Sequence, residues 1–397
     1  MNQAEASVSS KLPEHGTTIF TVMSKMAQDF GAINLSQGFP DFEPPEGLLE
    51  AFRRRLSGGH HQYPPMHGVA ALRTQIQKKL ERFYQVTVDS ETEVTVTSGA
   101  TEAIFVTVQA LVHPGDEVVI FDPAFDAYAP AVALAGGIAK HLQLTGPHFE
   151  VDETALEQVV SSRTRLLIIN SPHNPCGGLI NRETLEHIAA LANRFDFYVL
   201  SDEVYEHMVF DGHRHVSAIE IPALRRRTLM ISSFGKTFHA TGWKVAYCVA
   251  PPNLTIEFRK VHQFVTFTTH TPCQWAIADF LANDGGHIAD LSKFYERKRD
   301  LFNALLSPLG FQLLPSQGTY FQLADYSRIP ALAGLTDTAC ANTLTQDYGV
   351  AAIPISVFYK TPPKNQRLIR FCFAKDDETL KLAAERLALR LKDKATP

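Results

Sequence analysis

Lys236 belongs to residues 232–244, SSFGKTFHATGWK. The residue types and spacing of this stretch point to a chemical function more clearly than those of any other stretch. A lysine that forms a Schiff base needs an amine whose protonation can be switched, on a side chain long enough to reach a buried site. Ser233 precedes it and Lys244 follows at a spacing of two helical turns, so both could hold a phosphate group. The alternative is that both lysines are solvated and the serines simply begin a helix.

Asp202 follows a strongly apolar run, which predicts a carboxylate buried at the end of a strand. Such a carboxylate is costly unless a cation or good hydrogen bonds accompany it, and a protonated pyridine nitrogen would be a suitable cation. Tyr205, three residues on, could direct its hydroxyl at the same ring. The competing interpretation is that Asp202 is the N-cap of a helix.

Residues 97–102, TSGATE, come directly after another apolar run and open a predicted helix. The free N–H groups at a helix N-terminus bind phosphate, and Gly99 and Ala100 would let it approach. The alternative is an ordinary cap made by Ser98 or Thr101. The sequence contains neither the dinucleotide fingerprint Gly-x-Gly-x-x-Gly nor a Walker-type loop.

Three further side chains follow or interrupt apolar runs. Phe125 could stack on a flat cofactor, although a core position is the commoner fate of such a ring. Asn174 stands between two prolines that fix its backbone, which suits either an aimed side chain or a rigid turn. Arg370, within a β-like run, has a planar fork suited to a carboxylate ligand, with an internal salt bridge as the alternative.

The elements that must position these residues alternate between short β-like runs and helical stretches. The runs are residues 93–97, 117–121, 166–170, 198–201 and 228–232. This alternation predicts an α/β fold with a mostly parallel sheet that has helices on its faces. Because ligands bind beyond the carboxyl ends of such strands, we expect the residues above to converge there.

The two ends of the chain have a different pattern. Residues 1–16 are polar and predict an arm, and apolar residues at helical spacing follow from Ile19 to Phe30. A helix near 288–306, a strand at 368–373 and an amphipathic helix over 380–391 predict a smaller α+β domain. We expect an N-terminal arm and part of the small domain in 1–45, a large domain in 46–285 and the small domain in 286–397.

The composition indicates an ordinary globular enzyme of 397 residues, 45% hydrophobic and 20% charged. The net charge of −5 and the lack of long basic runs argue against nucleic acid as the main partner. The five cysteines are scattered without metal-ligand spacing, so we expect reduced thiols, no metal and a cytoplasmic location. The polar N-terminus and the absence of a long apolar stretch predict neither a signal peptide nor a membrane span.

Together, these stretches resemble those of the class I, fold-type I pyridoxal-phosphate (PLP) aminotransferases. Within that class the chain is most similar to the branch of methionine aminotransferases and of kynurenine aminotransferases that are also cysteine-conjugate β-lyases. The shared stretches are LSQGFPDF at 35–42, the turn at 99–102, Asn174-Pro175, SDEVYE at 201–206, the Lys236 stretch and residues 368–373. The resemblance covers roughly residues 11–391 and implies a mostly parallel seven-stranded sheet in the large domain.

The resemblance also implies a role for each position. Lys236 would be the Schiff-base lysine, and Asp202 would keep the pyridine nitrogen protonated. Tyr205 and Asn174 would bond the ring hydroxyl, and Phe125 would stack on the ring. The residues expected around the phosphate are Gly99, Ala100, Thr101, Ser233 and Lys244, with Tyr63 reaching the phosphate of the neighbouring subunit in a homodimer. Those expected around the substrate are Gly38, Asn174 and Arg370 at its α-carboxylate and Phe20, Tyr63, Tyr128, His270 and Phe358 near its side chain.

That aromatic, largely neutral pocket favours methionine, aromatic amino acids or glutamine as amino donors, with a 2-oxo acid as acceptor in a ping-pong reaction. The main alternative is a PLP-dependent β-lyase that acts on cysteine S-conjugates at the same site. A PLP-binding transcription regulator is disfavoured, because the segment before Leu12 is too short for a DNA-binding domain. A non-catalytic scaffold is disfavoured by the presence of both Lys236 and Asp202.

Overall fold

The structure, a computed structural model, describes residues 8–393. Residues 1–7 of the predicted arm and residues 394–397 lie outside that range. The helices in it are α1 (Ile19–Asp29), α2 (Glu46–Ser57), α3 (Ala70–Tyr84), α4 (Ala100–Leu111), α5 (Tyr128–Leu134), α6 (Glu153–Val159), α7 (Arg182–Phe195), α8 (Pro222–Arg225), α9 (Phe234–Thr237), α10 (Pro252–Val265), α11 (Thr271–Ala282), α12 (His287–Leu306), α13 (Asp337–Gln346) and α14 (Asp377–Asp393). The strands are β1 (Ile33–Asn34), β2 (Val94–Thr97), β3 (Glu117–Asp122), β4 (Ile138–Gln143), β5 (Thr164–Asn170), β6 (Tyr198–Asp202), β7 (Thr228–Ser233), β8 (Ala246–Val249), β9 (Gln312–Leu313), β10 (Phe321–Asp325), β11 (Val350–Ala351), β12 (Ile353–Pro354) and β13 (Leu368–Cys372).

The large sheet has seven strands in the order β2-β8-β7-β6-β5-β3-β4. All neighbouring pairs are parallel except the two that involve β8, which runs in the opposite direction. The α/β fold with a mostly parallel seven-stranded sheet is therefore confirmed. The carboxyl ends of β2, β3, β5, β6 and β7 lie along one edge, where the candidate site residues follow them.

The central strands contain continuous apolar runs because helices cover both faces of the sheet. In β5, residues 166–169 read LLII and are all buried, the continuous pattern typical of parallel strands. Helices α4, α5 and α10 pack on one face, while α6 and α7 pack on the other. This rigid double-sided packing fixes the strand ends that carry the site.

A second sheet has the order β12-β13-β10-β9, is antiparallel throughout, and packs with helices α12 and α14. Strand β1, near the N-terminus, pairs in parallel with β11 from the C-terminal part of the chain. The smaller α+β unit therefore receives a strand from the first 45 residues. The domain boundaries at residues 45 and 285 stay a prediction.

Two features of the chain differ from the sequence-based expectation. Strands β4 and β8 belong to the sheet but were not predicted. The helix that contains Lys236 ends at Thr237, so Lys244 does not lie two turns further along it. Lys244 instead follows a short 3₁₀ turn, and its own φ is 54°. The five cysteines are buried and form no disulfide. No helix within residues 8–393 has the length and apolar character needed to cross a membrane.

Candidate active site

A cavity of about 200 Å³ lies at the carboxyl edge of the large sheet. It brings together ten of the predicted site residues from five strand ends. They are Gly99, Ala100, Thr101, Phe125, Asn174, Asp202, Tyr205, Ser233, Lys236 and Lys244. The sequence reasoning missed five other lining residues, Ile104, Asn170, Val204, Gly235 and Thr241.

One end of the cavity has the properties of a phosphate site. Helix α4 begins after Gly99 without a side-chain cap, so its first N–H groups are free for a ligand. Gly99 has φ 85°, and a Cβ there would stand 2.7 Å from Lys244 Nζ, so only glycine leaves room for the lysine to share this end. Free N–H groups beside an ammonium group are a favourable environment for a dianion.

Asp202 also lines the cavity and is the last residue of strand β6. No helix begins at Asp202, so the N-cap interpretation is wrong; a turn follows the strand. Its Oδ2 accepts a hydrogen bond of 2.7 Å from the Tyr128 hydroxyl. Burial raises the pKa of the Asp202 carboxyl to about 6, although the bond from Tyr128 and the nearby charge of Lys236 oppose the rise. A cation placed against Asp202 would favour its ionised form.

Lys236 points its amine into the junction of the two sheets. Its Nζ donates to the hydroxyl of Tyr320 at 2.9 Å and to the carbonyl of Gly38 at 3.2 Å. Burial, together with the positive charges of Lys244 and Arg370, lowers the pKa of the Lys236 amine to about 8. About a tenth of the amine is therefore unprotonated at pH 7, and this fraction is available for nucleophilic and proton-transfer roles.

Arg370 is completely buried in strand β13. Its guanidinium donates to Asn174 Oδ1 at 2.9 Å and to the Ser36 carbonyl at 3.1 Å, while Nε has no partner. Within residues 8–393 no carboxylate forms a salt bridge with Arg370, so the internal salt-bridge alternative is wrong. Burial lowers the pKa of Arg370 to about 10, which still leaves it charged near neutral pH. An unpaired buried cation is a strong site for an external carboxylate.

Two of the predicted side-chain pocket residues surround Arg370. The rings of Phe20 and Phe358 lie 6.0 Å apart, and each is 5.3 Å from the guanidinium carbon. The ring of Phe321, which the sequence reasoning did not single out, lies still closer at 3.9 Å. A carboxylate bound by Arg370 would therefore have an aromatic environment beside it.

The remaining predicted pocket residues lie elsewhere. Tyr128 is behind Asp202 rather than on the cavity wall. His270 caps helix α11 and contacts Cys273, away from Phe20 and Phe358. Tyr63 is 84% exposed and meets only the edge of Phe267. Its side chain contributes nothing to the cavity of its own chain.

Two residues without an assigned role have direct contacts with the site. Tyr320 donates to the Gly38 carbonyl and accepts from Lys236, so it fixes both. Asn170 donates to the Asp202 carbonyl at 2.8 Å and accepts from the Asn174 N–H at 2.7 Å. The sequence contained a signal for Asn170, because it is the last residue of a predicted strand. It contained none for Tyr320, because the contact between Tyr320 and Lys236 joins residues 84 positions apart.

The cavity fits PLP at both of its charged ends. The free helix N-terminus and Lys244 suit the phosphate, whereas the buried Asp202 suits a protonated ring nitrogen. Phe125 also lines the cavity and meets Tyr128 edge-on, with ring centroids 5.7 Å apart. Such a cofactor supplies an acceptor for the amino group and a sink for the electrons of the substrate α-carbon.

Comparison with known proteins gives a consistent picture. Residues 31–387 match the family model described as aminotransferase class I and II. Methionine aminotransferase of Escherichia coli strain K12 is 49% identical over 378 residues, which cover 95% of this chain and 97% of that protein. A probable N-succinyldiaminopimelate aminotransferase of Mycobacterium tuberculosis is 40% identical, covering 98% of this chain and 99% of the relative.

A more distant relative and two solved structures also belong to aminotransferases. Rat kynurenine–oxoglutarate transaminase 1 is 35% identical, covering 93% of this chain and 94% of that protein. The crystal structure of the E. coli methionine aminotransferase superposes with a TM-score of 0.93 at 48% identity, covering 97% of this chain and 100% of the other. The M. tuberculosis N-succinyldiaminopimelate aminotransferase structure also gives 0.93, at 40% identity, covering 96% and 100%.

Proposed function

Because this chain belongs to the class I and II aminotransferases, which are PLP-dependent enzymes, we propose that its amino donors are methionine, aromatic amino acids and glutamine. The observation that carries the proposal is the aromatic group Phe20, Phe321 and Phe358 around Arg370. Lys236 and Lys244 are the only basic residues among those lining the cavity. A dicarboxylic donor would need a second cation for its side chain, whereas an apolar or amide side chain would not.

The roles of the residues follow from their contacts. Arg370, held by Asn174, binds the α-carboxylate of the donor, which places the α-carbon toward Lys236. The amine of Lys236 removes the α-proton and returns a proton during transfer, a role that its lowered pKa favours. Tyr320 and the Gly38 carbonyl orient that amine.

Asp202 and the residues at the other end hold the cofactor. The carboxylate of Asp202 keeps the ring nitrogen protonated, and Tyr128 stabilises the carboxylate. Gly99, Ala100, Thr101, Ser233 and Lys244 bind the phosphate, and Tyr205 and Asn174 bond the ring hydroxyl. Phe125 packs against the ring.

We further propose a cytoplasmic homodimer. Tyr63, exposed on its own chain, would then reach the phosphate of the neighbouring subunit. The exposed aromatic ring of Phe264, 86% accessible on helix α10, gives that surface an apolar character suited to subunit contact. The β-lyase alternative has no observation of its own in its favour, because it would use the same groups.

A donor screen tests the proposed substrate class. The enzyme would be supplied with a 2-oxo acid and, in turn, methionine, phenylalanine, glutamine, aspartate and N-succinyldiaminopimelate, and donor loss would be measured beside pyruvate and ammonia release. We expect the first three to give the highest kcat/KM, without stoichiometric ammonia. A preference for either dicarboxylic donor would contradict the proposal, and pyruvate and ammonia release from cysteine conjugates without an acceptor would favour the lyase.

A pair of variants on one helix tests the pocket itself. Phe20→Ala should lower kcat/KM for methionine and phenylalanine about tenfold relative to alanine as donor, because an apolar contact is lost. Phe30, 53% exposed beyond the other end of α1, provides the matched control, and Phe30→Ala should leave the preference unchanged. Equal effects of the two changes would exclude Phe20 from the pocket.

A further inference from the structure

A second cavity of about 280 Å³ adjoins the active site and has no role in the reaction described above. Its inner wall includes the buried residues His173, Gly178 and Thr184, whereas Glu150 and Asn181 at its rim are exposed. Asn170 lines both this side cavity and the active-site cavity. The side cavity therefore extends from the surface to Asn170, and Asn170 separates it from the active-site cavity.

His173 gives the side cavity an unsatisfied polar group. The residue is only 5% exposed, and its ring Nδ1 has no hydrogen-bond partner among residues 8–393. Burial lowers the pKa of His173 to about 4, so the ring is neutral near neutral pH, and in the tautomer protonated at Nε2 its Nδ1 carries a free lone pair. Because a buried polar group without a partner is unfavourable, a ligand that donates a hydrogen bond there would remove that cost.

The rest of the lining mixes polar and apolar side chains, and two of the apolar ones are aromatic. Phe121, Leu144 and Phe149 form walls, with Leu179 and Ile180 beside them. An apolar cavity of about 150 Å³ is known to hold one benzene molecule, so the side cavity has room for one or two rings. A concave site that combines apolar and aromatic walls with a few polar groups is typical of small-molecule binding.

We propose that the side cavity is a second small-molecule site, which takes a neutral aromatic molecule of one or two rings with an N–H donor. The occupant donates to His173 and packs between Phe121 and Phe149. Asn170, at the shared wall, holds both the Asp202 carbonyl and the Asn174 N–H. Occupation of the side cavity is therefore coupled to cofactor and substrate binding.

Two probes of equal shape test the site on the cofactor-loaded enzyme. Indole carries the N–H donor, whereas benzofuran replaces it with an oxygen. Isothermal calorimetry should show that indole binds about tenfold more tightly, the effect of one hydrogen bond to a buried group. Undetectable indole binding at millimolar concentration, or equal binding of the two probes, would overturn the proposal.

Variants separate this site from the active site, which could also accept an aromatic probe. Leu179→Trp fills the side cavity and should weaken the binding of indole to the cofactor-loaded enzyme at least tenfold. Leu382, 46% exposed on helix α14, is the matched control, and Leu382→Trp should bind indole as the unchanged protein does. Indole binding that survives Leu179→Trp would place the probe elsewhere and refute the assignment.

The coupling has its own measurement. Indole should change the affinity of the cofactor-free protein for PLP several-fold, and PLP should change indole affinity by the same factor, since linkage is reciprocal. In His173→Phe, indole and benzofuran should bind equally. No change of PLP affinity at saturating indole would show that Asn170 does not transmit occupation.

Discussion

Tyr128→Phe tests how the protein controls the charge of Asp202. The change removes one hydroxyl, whose hydrogen bond of 2.7 Å to Asp202 Oδ2 is completely buried. A hydrogen bond to a charged group contributes about 1.5–3 kcal/mol, and one between neutral groups about 1 kcal/mol. The ionised carboxylate therefore loses about 1–2 kcal/mol more than the protonated one, which raises the pKa of Asp202 by about one unit.

The sign of the pH dependence follows from the raised pKa. In the cofactor-free protein the pKa of Asp202 is about 6, above the ordinary aspartate pKa of 3.8. Between these values the folded state holds a proton that the unfolded state has lost, so stability falls as pH rises through this window. In Tyr128→Phe the stability continues to fall to a pH about one unit higher than in the unchanged protein. The variant should thus lose about 1–2 kcal/mol more stability at pH 8 than at pH 5.

Urea unfolding of the cofactor-free protein at pH 5 and pH 8 is the appropriate assay. Tyr326 provides the matched control, because its hydroxyl donates to the neutral carbonyl of Leu335 at 3.1 Å. Tyr326→Phe should cost the same at both pH values. If Tyr128→Phe showed the same pH-independent loss, Tyr128 would not stabilise the charge of Asp202.

Two further changes test the ends of the active site. Gly99→Ala should weaken PLP affinity at least tenfold, because the new methyl group would meet Lys244 Nζ at 2.7 Å and the backbone has φ 85°. Fluorescence titration with PLP measures the affinity. An unchanged affinity would exclude Gly99 from the phosphate site. Arg370→Lys should raise the KM of methionine and phenylalanine alike, by about 10–100-fold, because the fork that binds a carboxylate is lost. An unchanged KM in steady-state assays would mean that Arg370 serves only the fold.

The sequence predicted the parts of the fold that depend on local pattern. All five predicted strands of the large sheet form, within two residues of the expected ends, because their apolar runs are buried on both faces. Strand β4 was missed because it is an edge strand with mixed polar residues, IAKHLQ, and no fully buried position. Strand β8 was missed because its four residues directly follow the irregular segment around Lys244, and its antiparallel direction depends on tertiary pairing.

The site was predictable where residues directly follow strands. Asp202, Ser233 and Asn174 converge because the carboxyl ends of parallel strands share one edge. The contact of Tyr320 with Lys236 was not predictable, since Tyr320 precedes strand β10 of the second sheet and tertiary packing alone brings the two residues together. The position of Tyr128 behind Asp202 likewise depends on how helix α5 packs on the sheet, which local pattern does not specify.

The central claim, that Lys236 is the amine that holds the cofactor, is tested most directly by borohydride reduction followed by peptide mass spectrometry. We expect one reduced cofactor per chain, attached to Lys236, in the unchanged enzyme and in Lys244→Ala at saturating PLP. Lys236→Ala should carry none and should not transaminate. Attachment at Lys244, or turnover by Lys236→Ala comparable to that of the unchanged enzyme, would contradict the account.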